Sequence, residues 1–368
     1  METICGYQRR DHSPELAAMS EIRKILILDG IGGVPLGQEI CDTFSELGIS
    51  AIHFDCLHAP RRALYSARAA YAKLRNRGME RDGFYFLPKL IEHGLYQLIA
   101  REQPSHILVI GFIYKFFDPA LLRRLANEAG AGLFLYDTDT CNLYSRRREF
   151  IFFIETELPI YDCILSCSAV TTHFFKDTRG LNAVFVPFGA KPIVTASMSQ
   201  PIDVLFVGSC DLRRIFLLEH IRDHVSVRGN RWQRNMPLIS PALRTHIDDR
   251  PVWGKDLHQL LSQTKIVLNI TRTDFFGAET GINLRVFEAL AAGCFLLTDH
   301  CEEIAELFKV GEEIETYRSA KELKEKVEHY LAYPEHRLSV AKNGAAAFNR
   351  SHHWSARLRN DVLPILVR

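Results

Sequence analysis

A glycine-containing turn, a short helix and a buried strand are predicted within Glu279–Asp299, which reads ETGINLRVFEALAAGCFLLTD. Gly281 frees the backbone before the helix, and Asn283 is a residue type that caps helix N-termini. The first N–H groups of a helix and its dipole both favour an anion. Glu288 lies further along the same helix, where its carboxylate can accept hydrogen bonds from sugar hydroxyls. A phosphate cradle beside such a carboxylate predicts a nucleotide-sugar site.

The composition is that of a globular protein, with 368 residues, 47% hydrophobic and 24% charged, and it is long enough for two domains. Lys plus Arg (45) nearly balances Asp plus Glu (44), so the charge does not indicate a nucleic-acid partner. The nine cysteines form no CxxC pair, which predicts reduced residues in the cytoplasm rather than disulfides or a zinc site. No apolar run approaches the roughly 18–20 residues of a membrane span. We expect a polar, partly disordered leader over residues 1–23, unlike a signal peptide.

Short apolar runs alternate with amphipathic segments, which predicts parallel sheets with crossover helices in an α/β protein. In the first half we predict strands at 24–29, 50–54, 106–110, 133–136, 163–167 and 183–186, and a helix near 36–47. After a linker at 191–201, we predict strands at 203–207, 225–227, 265–270 and 295–298, and a helix at 320–333. Two doubly wound lobes follow, with the ligand at the carboxyl ends of the strands, in the cleft between the lobes.

Short motifs follow one another through the second half. They are FVGS at 206–209 with Arg213 and Arg214, VRGNRW at 227–232, VWG at 252–254, LNI at 268–270, NLRVFEA at 283–289 with Gly293, and SHHW at 351–354. In the first half, YDTD at 136–139 and VPFGA at 186–190 belong to the same set. In this order the motifs resemble the CgeB-like (spore maturation) group of GT-B glycosyltransferases, which is related to glycosyltransferase families 1 and 4. The resemblance in sequence motifs covers residues 130–365. Over residues 24–130 it rests only on the expected fold.

The resemblance implies a GT-B fold, with two Rossmann-like doubly wound domains facing a central cleft. It implies an acceptor lobe over 24–190, a nucleotide-sugar lobe over 202–345 and a terminal helix over 346–368 that packs back across the lobes. The implied activity is that of a hexosyltransferase (EC 2.4), which moves a sugar from a nucleotide-diphosphate donor to an acceptor. Neither a metal nor a tightly bound cofactor is expected, because positive side chains and a helix start neutralise the diphosphate. An oligomer is compatible with the sequence.

Family 4 relatives retain the anomeric configuration and carry two glutamates eight positions apart around this helix. Here Glu288 matches the second glutamate, Thr280 occupies the first position, and Glu279 is displaced from it by one residue. The resemblance therefore implies a retaining transfer in which the first carboxylate departs from the family pattern.

The candidate donor-binding residues lie at strand ends and at the start of the helix around Glu288. They are Gly208, Ser209, Gly229, Asn230, Trp253, Gly254, Gly281, Ile282, Asn283, Arg285 and Glu288. We expect Glu288 on the donor ribose, and Trp253 either against the base or in the core. Arg213 and Arg214 begin another helix, where guanidinium groups would stabilise a leaving diphosphate, although a solvated basic pair is the alternative.

Two further groups of candidates belong to the first half. Gly30, Gly32 and Gly33 form a loop facing the cleft, or part of a dinucleotide fingerprint with Asp55 as the ribose acid, or a tight structural turn. Asp137 and Asp139 end a strand and are candidates for the general base of an inverting transfer, or caps of a turn. A glycosyltransferase is the leading hypothesis. The alternatives are an NAD(P)-dependent oxidoreductase and a non-catalytic nucleotide-sugar-binding protein.

Overall fold

The first of two parallel sheets is formed by the first half of the chain. The computed structural model describes residues 22–76, 84–193 and 199–367. The strands of this sheet are β1 (Ile25–Asp29), β2 (Ala51–Asp55), β3 (His106–Ile110), β4 (Gly132–Asp137), β5 (Cys163–Ser166) and β6 (Ala183–Phe185). They lie in the order β2-β1-β3-β4-β5-β6, and each neighbouring pair is parallel. Most of the predicted leader (residues 1–21) and the middle of the predicted linker (194–198) lie outside the described residues.

The second sheet also has six parallel strands, in a different order. Its strands are β7 (Ile202–Val207), β8 (Val225–Arg228), β9 (Ile247–Asp248), β10 (Thr264–Asn269), β11 (Phe295–Asp299) and β12 (Glu315–Tyr317). They lie in the parallel order β12-β11-β10-β7-β8-β9. The ten strands predicted from the sequence are all present, and no end moves by more than one residue. The sequence did not predict β9 or β12, because runs of two and three residues carry no periodicity.

Helices connect the strands and cover the sheets. Those of the first lobe are α1 (Leu36–Glu46), α2 (Tyr65–Asn76), α3 (Glu92–Glu102), α4 (Pro119–Ala129), α5 (Arg147–Phe152) and α6 (Ala169–His173). Shorter 3₁₀ turns lie at Ile113–Lys115, Thr140–Leu143 and Leu158–Ile160, and π-helical turns extend α5 over Phe153–Glu157 and α6 over Phe174–Thr178.

The second lobe continues the same alternation. Its helices are α7 (Leu212–Glu219), α8 (Pro241–Arg244), α9 (Gly254–Ser262), α10 (Thr273–Gly277), α11 (Leu284–Ala291), α12 (Glu302–Leu307) and α13 (Ala320–Ala332), followed by α14 (Pro334–Ser351), α15 (Trp354–Arg357) and α16 (Leu363–Leu366). A 3₁₀ turn covers Gln233–Leu238, and a π-helical turn covers Leu358–Val362. Within the described ranges, no helix is long and apolar enough to cross a membrane.

The central strands are mainly apolar because helices cover both faces of each sheet. All five residues of β1, ILILD, are buried. α1 packs one stripe against this sheet through Leu36, Ile40 and Phe44. Since every strand in a sheet runs in the same direction, the loops that follow the strands gather at one edge of each lobe.

The end of the chain returns from the second lobe to the first. α14 runs through the predicted boundary at residue 346. Beyond it, the backbone N–H of Trp354 donates to the Ala190 carbonyl oxygen at 3.0 Å, and its indole Nε1 donates to Glu39 Oε2 at 3.1 Å. His106 Nε2 lies 2.9 Å from the carbonyl oxygen of Leu366. These contacts attach residues 352–366 to the first lobe.

Candidate active site

A cavity of about 380 Å³ lies between the lobes, at the carboxyl ends of both sets of strands. This volume falls within the range of small-molecule sites. The first lobe contributes Ile31, Gly32, Gly33, Val34, Leu36, Thr138, Asp139, Asn142 and Phe188. The second lobe contributes Val207, Gly208, Ser209, Arg214, Gly229, Asn230, Pro251, Val252, Trp253, Asn269, Thr271, Arg272, Phe275, Gly281, Asn283, Leu284, Arg285 and Glu288.

The start of α11 is fixed by an asparagine cap. Asn283 Oδ1 accepts a hydrogen bond from the Arg285 N–H at 3.0 Å. Its Nδ2 donates to Asn269 Oδ1 at 3.0 Å, and Asn269 Nδ2 donates to Thr298 Oγ1 at 2.9 Å. A chain of buried side chains from β10 and β11 therefore sets the orientation of the cap. Gly281 allows the chain to pass close to Thr271, because an added Cβ would lie 3.1 Å from its Oγ1.

Arg285 and Glu288 lie together on the cavity side of α11. Arg285 Nη1 is 2.7 Å from Glu288 Oε2, and both side chains are largely buried. The contact lacks hydrogen-bond geometry, so Arg285 Nε and Nη1 are buried donors without an acceptor. Such groups are costly unless a partner satisfies them. The start of α11 thus places beside the cavity a carboxylate and a guanidinium group that has two nitrogens without a hydrogen bond.

Two threonine hydroxyls add to this set. Among the described residues, five carry buried side-chain N or O atoms without a hydrogen-bond partner: Tyr136, Thr138, Thr271, Arg285 and Arg357. Thr138, Thr271 and Arg285 all line the cavity. Because unsatisfied polar atoms are rare in protein interiors, their concentration at one cavity indicates a polar ligand.

All three guanidinium nitrogens of Arg214 donate hydrogen bonds within the protein. Arg214 is buried, and its Nε and Nη2 donate to the Ile270 carbonyl oxygen at 3.0 and 2.7 Å. Its Nη1 donates to the carbonyl oxygen of Ser209 at 2.7 Å. Burial lowers the pKa of Arg214 to about 10, so the side chain remains charged at neutral pH. Arg214 therefore shapes two loops of the cavity and places a positive charge at its wall.

Arg213 points elsewhere. It forms a two-pronged ion pair with Asp299, with Nη1 at 3.0 Å from Oδ2, and its guanidinium lies 3.7 Å from the ring centre of Phe276. Asp299 Oδ2 also accepts from the Thr271 N–H at 2.6 Å. Arg213 is outside the cavity lining and supports the loop that carries Thr271.

Two glycine turns of the second lobe lie against each other. Gly208 follows β7 and Gly229 follows β8, and a Cβ on Gly229 would collide with the Gly208 carbonyl oxygen. Trp232 Nε1 donates to that same oxygen at 3.0 Å, and the indole is fully buried. Trp232 is thus a core residue, whereas Trp253 is exposed on the cavity wall.

The glycine loop of the first lobe contributes backbone rather than side chains. Gly32 and Gly33 line the cavity, and Gly33 adopts φ 88°, a conformation that favours glycine. Gly30 lies outside the lining, and a Cβ there would be 2.8 Å from the Phe116 ring. Asp55 turns into its own loop, accepting from the Leu57 N–H at 2.8 Å and lying 2.6 Å from His58 Nδ1. The loop therefore lacks the acidic ribose partner of a dinucleotide site, and the oxidoreductase alternative is not favoured.

The two aspartates after β4 have different surroundings. Asp137 is buried outside the cavity lining and accepts hydrogen bonds from Thr140 and Ser166, which partly offset the raising of its pKa by burial. Asp139 lines the cavity, and its Oδ1 accepts from Asn142 Nδ2 at 2.6 Å. Burial and then the charge of Asp137 raise the pKa of Asp139. Asp139 is therefore the aspartate placed to exchange a proton with a bound molecule.

Two polar bridges join the lobes beside the cavity. Arg272 Nη1 donates to Asn142 Oδ1 at 3.2 Å. The buried carboxylate of Glu303 crosses at a second point: Oε1 accepts from the Ala169 N–H at 2.7 Å and the Ser168 hydroxyl at 3.1 Å, and Oε2 accepts from the Thr280 hydroxyl at 2.5 Å. The position where family 4 relatives carry the first glutamate is thus tied to the carboxylate of Glu303.

Comparison with known proteins agrees with this architecture. Residues 213–361 match a family model described as glycosyl transferase-like. HepE of Anabaena, solved with UDP and glucose, is similar at 13% identity and TM-score 0.57, over 93% of this chain and 99% of that one. Sucrose-phosphate synthase of Thermosynechococcus elongatus is similar at 12% identity and TM-score 0.64, over 91% and 96%. The fold is GT-B.

Other comparisons fit the same picture. A glycosyltransferase from Rickettsia africae is similar at 9% identity and TM-score 0.56, over 94% of this chain and 98% of that one. No curated protein matches the sequence. At these identities the structural likeness establishes the GT-B fold that the sequence predicted.

Within the GT-B cleft, the structure brings together most of the residues predicted from the sequence. Those in the cavity lining are Gly32, Gly33, Asp139, Gly208, Ser209, Arg214, Gly229, Asn230, Trp253, Gly281, Asn283, Arg285 and Glu288. Those outside it are Gly30, Asp137, Arg213, Gly254 and Ile282. No group of three described His, Cys, Asp or Glu side chains is arranged to hold a metal ion.

Sequence reasoning missed Thr138, Thr271, Asn142, Arg272 and Glu303. Thr138 lies inside the YDTD motif and Thr271 directly follows LNI, so their positions after buried strands were the available signal. Glu303 gave no such signal, because it stands beside Glu302 in a run of ordinary helix formers.

Proposed function

We propose that this protein is a glycosyltransferase that moves a sugar from a nucleotide-diphosphate donor to an acceptor. The observation that carries the proposal is the pair of buried, unsatisfied Arg285 donors beside Glu288, at a capped helix start in the interlobe cavity. Guanidinium groups bind phosphate oxygens through several N–H groups at once. Carboxylates accept hydrogen bonds from sugar hydroxyls. The two ends of a nucleotide sugar's ribosyl-diphosphate therefore have chemically matched partners here.

The diphosphate is assigned to Arg285 and the start of α11. Arg285 pairs with Glu288 of the same helix and keeps two nitrogens without a hydrogen bond, whereas Arg214 is bonded to carbonyl oxygens and Arg213 to Asp299. Positive charge and helix-start N–H groups stabilise the charge that develops as the diphosphate leaves. The proposed transfer is accordingly independent of a bound metal, and activity should persist in the presence of EDTA.

The nucleoside is assigned to the wall formed by Glu288, Asn230 and Trp253. Glu288 would accept from the ribose hydroxyls, and the exposed face of Trp253 is available to the base. HepE is similar in fold and was solved with UDP and with UDP-glucose. UDP-glucose is therefore the first donor to test.

We also propose that the protein belongs to the CgeB-like group and transfers a hexose. The transfer is proposed to retain the anomeric configuration of the sugar. In a retaining transfer the leaving diphosphate itself can accept the acceptor proton, so no protein base is needed. An inverting transfer would use Asp139, the aspartate on the cavity wall, as base. Proton NMR of the product formed from UDP-glucose would distinguish the two outcomes, and Asp139→Asn should lower turnover sharply only in the inverting case. A cytoplasmic location is proposed because none of the eight described cysteines forms a disulfide bond.

Nucleotide binding tests the central assignment. A ligand that binds the folded state raises its stability, so saturating UDP, GDP, ADP or dTDP should raise the melting temperature of the wild-type chain. Arg285→Gln should weaken the affinity for the preferred nucleotide diphosphate roughly 10- to 100-fold, because it removes charge-assisted hydrogen bonds. Arg124→Gln, at an exposed arginine of α4, is the matched control and should bind normally.

Three results would count against the proposal. Absence of stabilisation by all four diphosphates would remove its basis, and equal binding by Arg285→Gln and wild type would remove the diphosphate assignment. Binding without any release of UDP from UDP-glucose, with or without added sugar acceptors, would indicate a nucleotide-sugar-binding protein instead of an enzyme.

A further inference from the structure

One helix of the first lobe turns small residues toward the protein and large apolar residues toward solvent. From Tyr65 to Arg75, α2 has no buried residue. Its partly buried residues are Tyr65, Ala69 and Ala72, which are spaced i, i+4, i+7 along one face. On the outer face, Tyr71 is 67% and Leu74 is 66% exposed. A surface helix ordinarily has the opposite arrangement, so the fold of this lobe does not account for Tyr71 and Leu74.

The same segment is strongly basic. Residues 61–76 contain five arginine or lysine residues and no acid, in a chain whose formal net charge is +1. Arg62 is held by Glu92 at 2.9 Å. The remaining four cations, Arg61, Arg68, Lys73 and Arg75, are exposed. On a helical projection, Arg68 and Arg75 lie on one side of the Tyr71–Leu74 ridge, and Lys73 lies on the other.

The start of the helix is firmly attached to the lobe. The Tyr65 hydroxyl donates to the Leu87 carbonyl oxygen at 2.9 Å, and Arg62 Nε donates to the Leu90 carbonyl oxygen at 2.9 Å. Leu64, just before the helix, is 81% exposed and extends the apolar ridge. A well-anchored element therefore presents apolar side chains between cations.

We propose that this surface, formed by Leu64, Arg68, Tyr71, Lys73, Leu74 and Arg75, docks on an anionic lipid membrane. Interfacial helices place leucine and aromatic residues among the acyl chains and keep Lys and Arg at the headgroups. Each cation near an anionic surface strengthens such binding. Leu64 and Leu74 offer no face for base stacking, so a lipid surface explains them better than single-stranded nucleic acid does. Self-association through this surface would bring like charges together.

Vesicle co-sedimentation of the full chain tests the proposal without depending on any transfer reaction. The wild-type chain should bind to phosphatidylcholine vesicles that contain about one quarter phosphatidylglycerol. It should bind much more weakly to vesicles of phosphatidylcholine alone. The triple variant Arg68→Gln/Lys73→Gln/Arg75→Gln should lower the partition coefficient roughly 100-fold. The double variant Tyr71→Ser/Leu74→Ser should lower it at least about tenfold. Leu338→Ser, at a 56% exposed leucine of α14, is the matched control and should bind as wild type does.

All substituted side chains are exposed, so each variant should keep the wild-type fold. Circular dichroism of each variant checks this. Failure of the wild-type chain to bind the anionic vesicles would overturn the proposal, as would unchanged binding by both variants. An oligothymidine that binds the wild type, and loses that binding in the Tyr71→Ser/Leu74→Ser variant, would reassign the surface to nucleic acid.

Discussion

Glu303→Ala should destabilise the protein far more than its location in a short surface helix suggests. The Glu303 carboxylate is 4% exposed and accepts hydrogen bonds from two N–H groups and a hydroxyl of the first lobe and from Thr280 of the second. A hydrogen bond to a charged group contributes about 1.5–3 kcal/mol to stability. A buried donor that loses its acceptor lowers stability by a similar amount. Water entering the vacated space offsets part of this loss. We therefore expect Glu303→Ala to lower the free energy of unfolding by about 3–4 kcal/mol.

Glu303→Gln separates hydrogen bonding from side-chain removal. The amide oxygen can accept from Ser168, Ala169 and Val170, and the amide nitrogen can donate to the Thr280 hydroxyl once that hydroxyl rotates. Only the charge assistance is lost, so a cost of about 1 kcal/mol is expected. The neighbouring Glu302, whose side chain is 86% exposed, provides the control, and Glu302→Ala should stay within about 0.5 kcal/mol of wild type.

Urea denaturation followed by circular dichroism and tryptophan fluorescence measures these differences, through the midpoint at an unchanged m-value. Both probes should shift together, because Glu303 joins the two lobes. Equal midpoints for Glu303→Ala and Glu303→Gln would refute the reasoning, since the carboxylate oxygens would then stabilise nothing that an alanine lacks. A shift in Glu302→Ala as large as that in Glu303→Ala would do so too.

Two further predictions concern stability. Gly229→Ala should lower the free energy of unfolding by about 3 kcal/mol, because the new methyl group meets the Gly208 carbonyl oxygen; Gly94→Ala, in open space within α3, should cost nothing in the same urea titration. Burial lowers the pKa of His352 to about 4, below the value of about 6.5 in the unfolded chain, so stability should fall by about 3 kcal/mol as the pH drops between these values. The His352→Gln variant should lose less stability than the wild type between pH 7 and pH 4. Equal losses of stability in the two proteins would show that His352 does not contribute.

The fold could be predicted because its signals are local. Five-residue runs such as ILILD in β1 and HILVI in β3 contain four consecutive apolar residues each, as expected of strands covered on both faces. The cap at Asn283 was equally readable, since its side chain bonds an N–H two residues away. At Asn283 the partner is a near neighbour in the chain, so the sequence was sufficient.

The roles of the arginines could not be predicted, because distant partners decide them. Arg213 and Arg214 are adjacent at a helix start and have the same chemistry, yet one meets Asp299 and the other the Ile270 carbonyl oxygen. Those partners are 86 and 56 residues away. Arg285 was a donor-binding candidate because an arginine near a helix start opposes the dipole and needs another partner. The sequence could not show that its Nε and Nη1 are buried without a hydrogen bond.

The division of the cavity between the lobes has a consequence for how the protein works. The groups assigned to the donor, Arg285 and Glu288, belong to one short helix whose cap is anchored within the second lobe. Asp139 belongs to the first lobe and meets the second through Asn142 and Arg272. A small rotation of the lobes would leave the donor site unchanged and move Asp139 away from it. Nucleotide binding should therefore tolerate substitutions at the interlobe bridges, whereas transfer, which in our proposal also needs the acceptor held by the first lobe, should not.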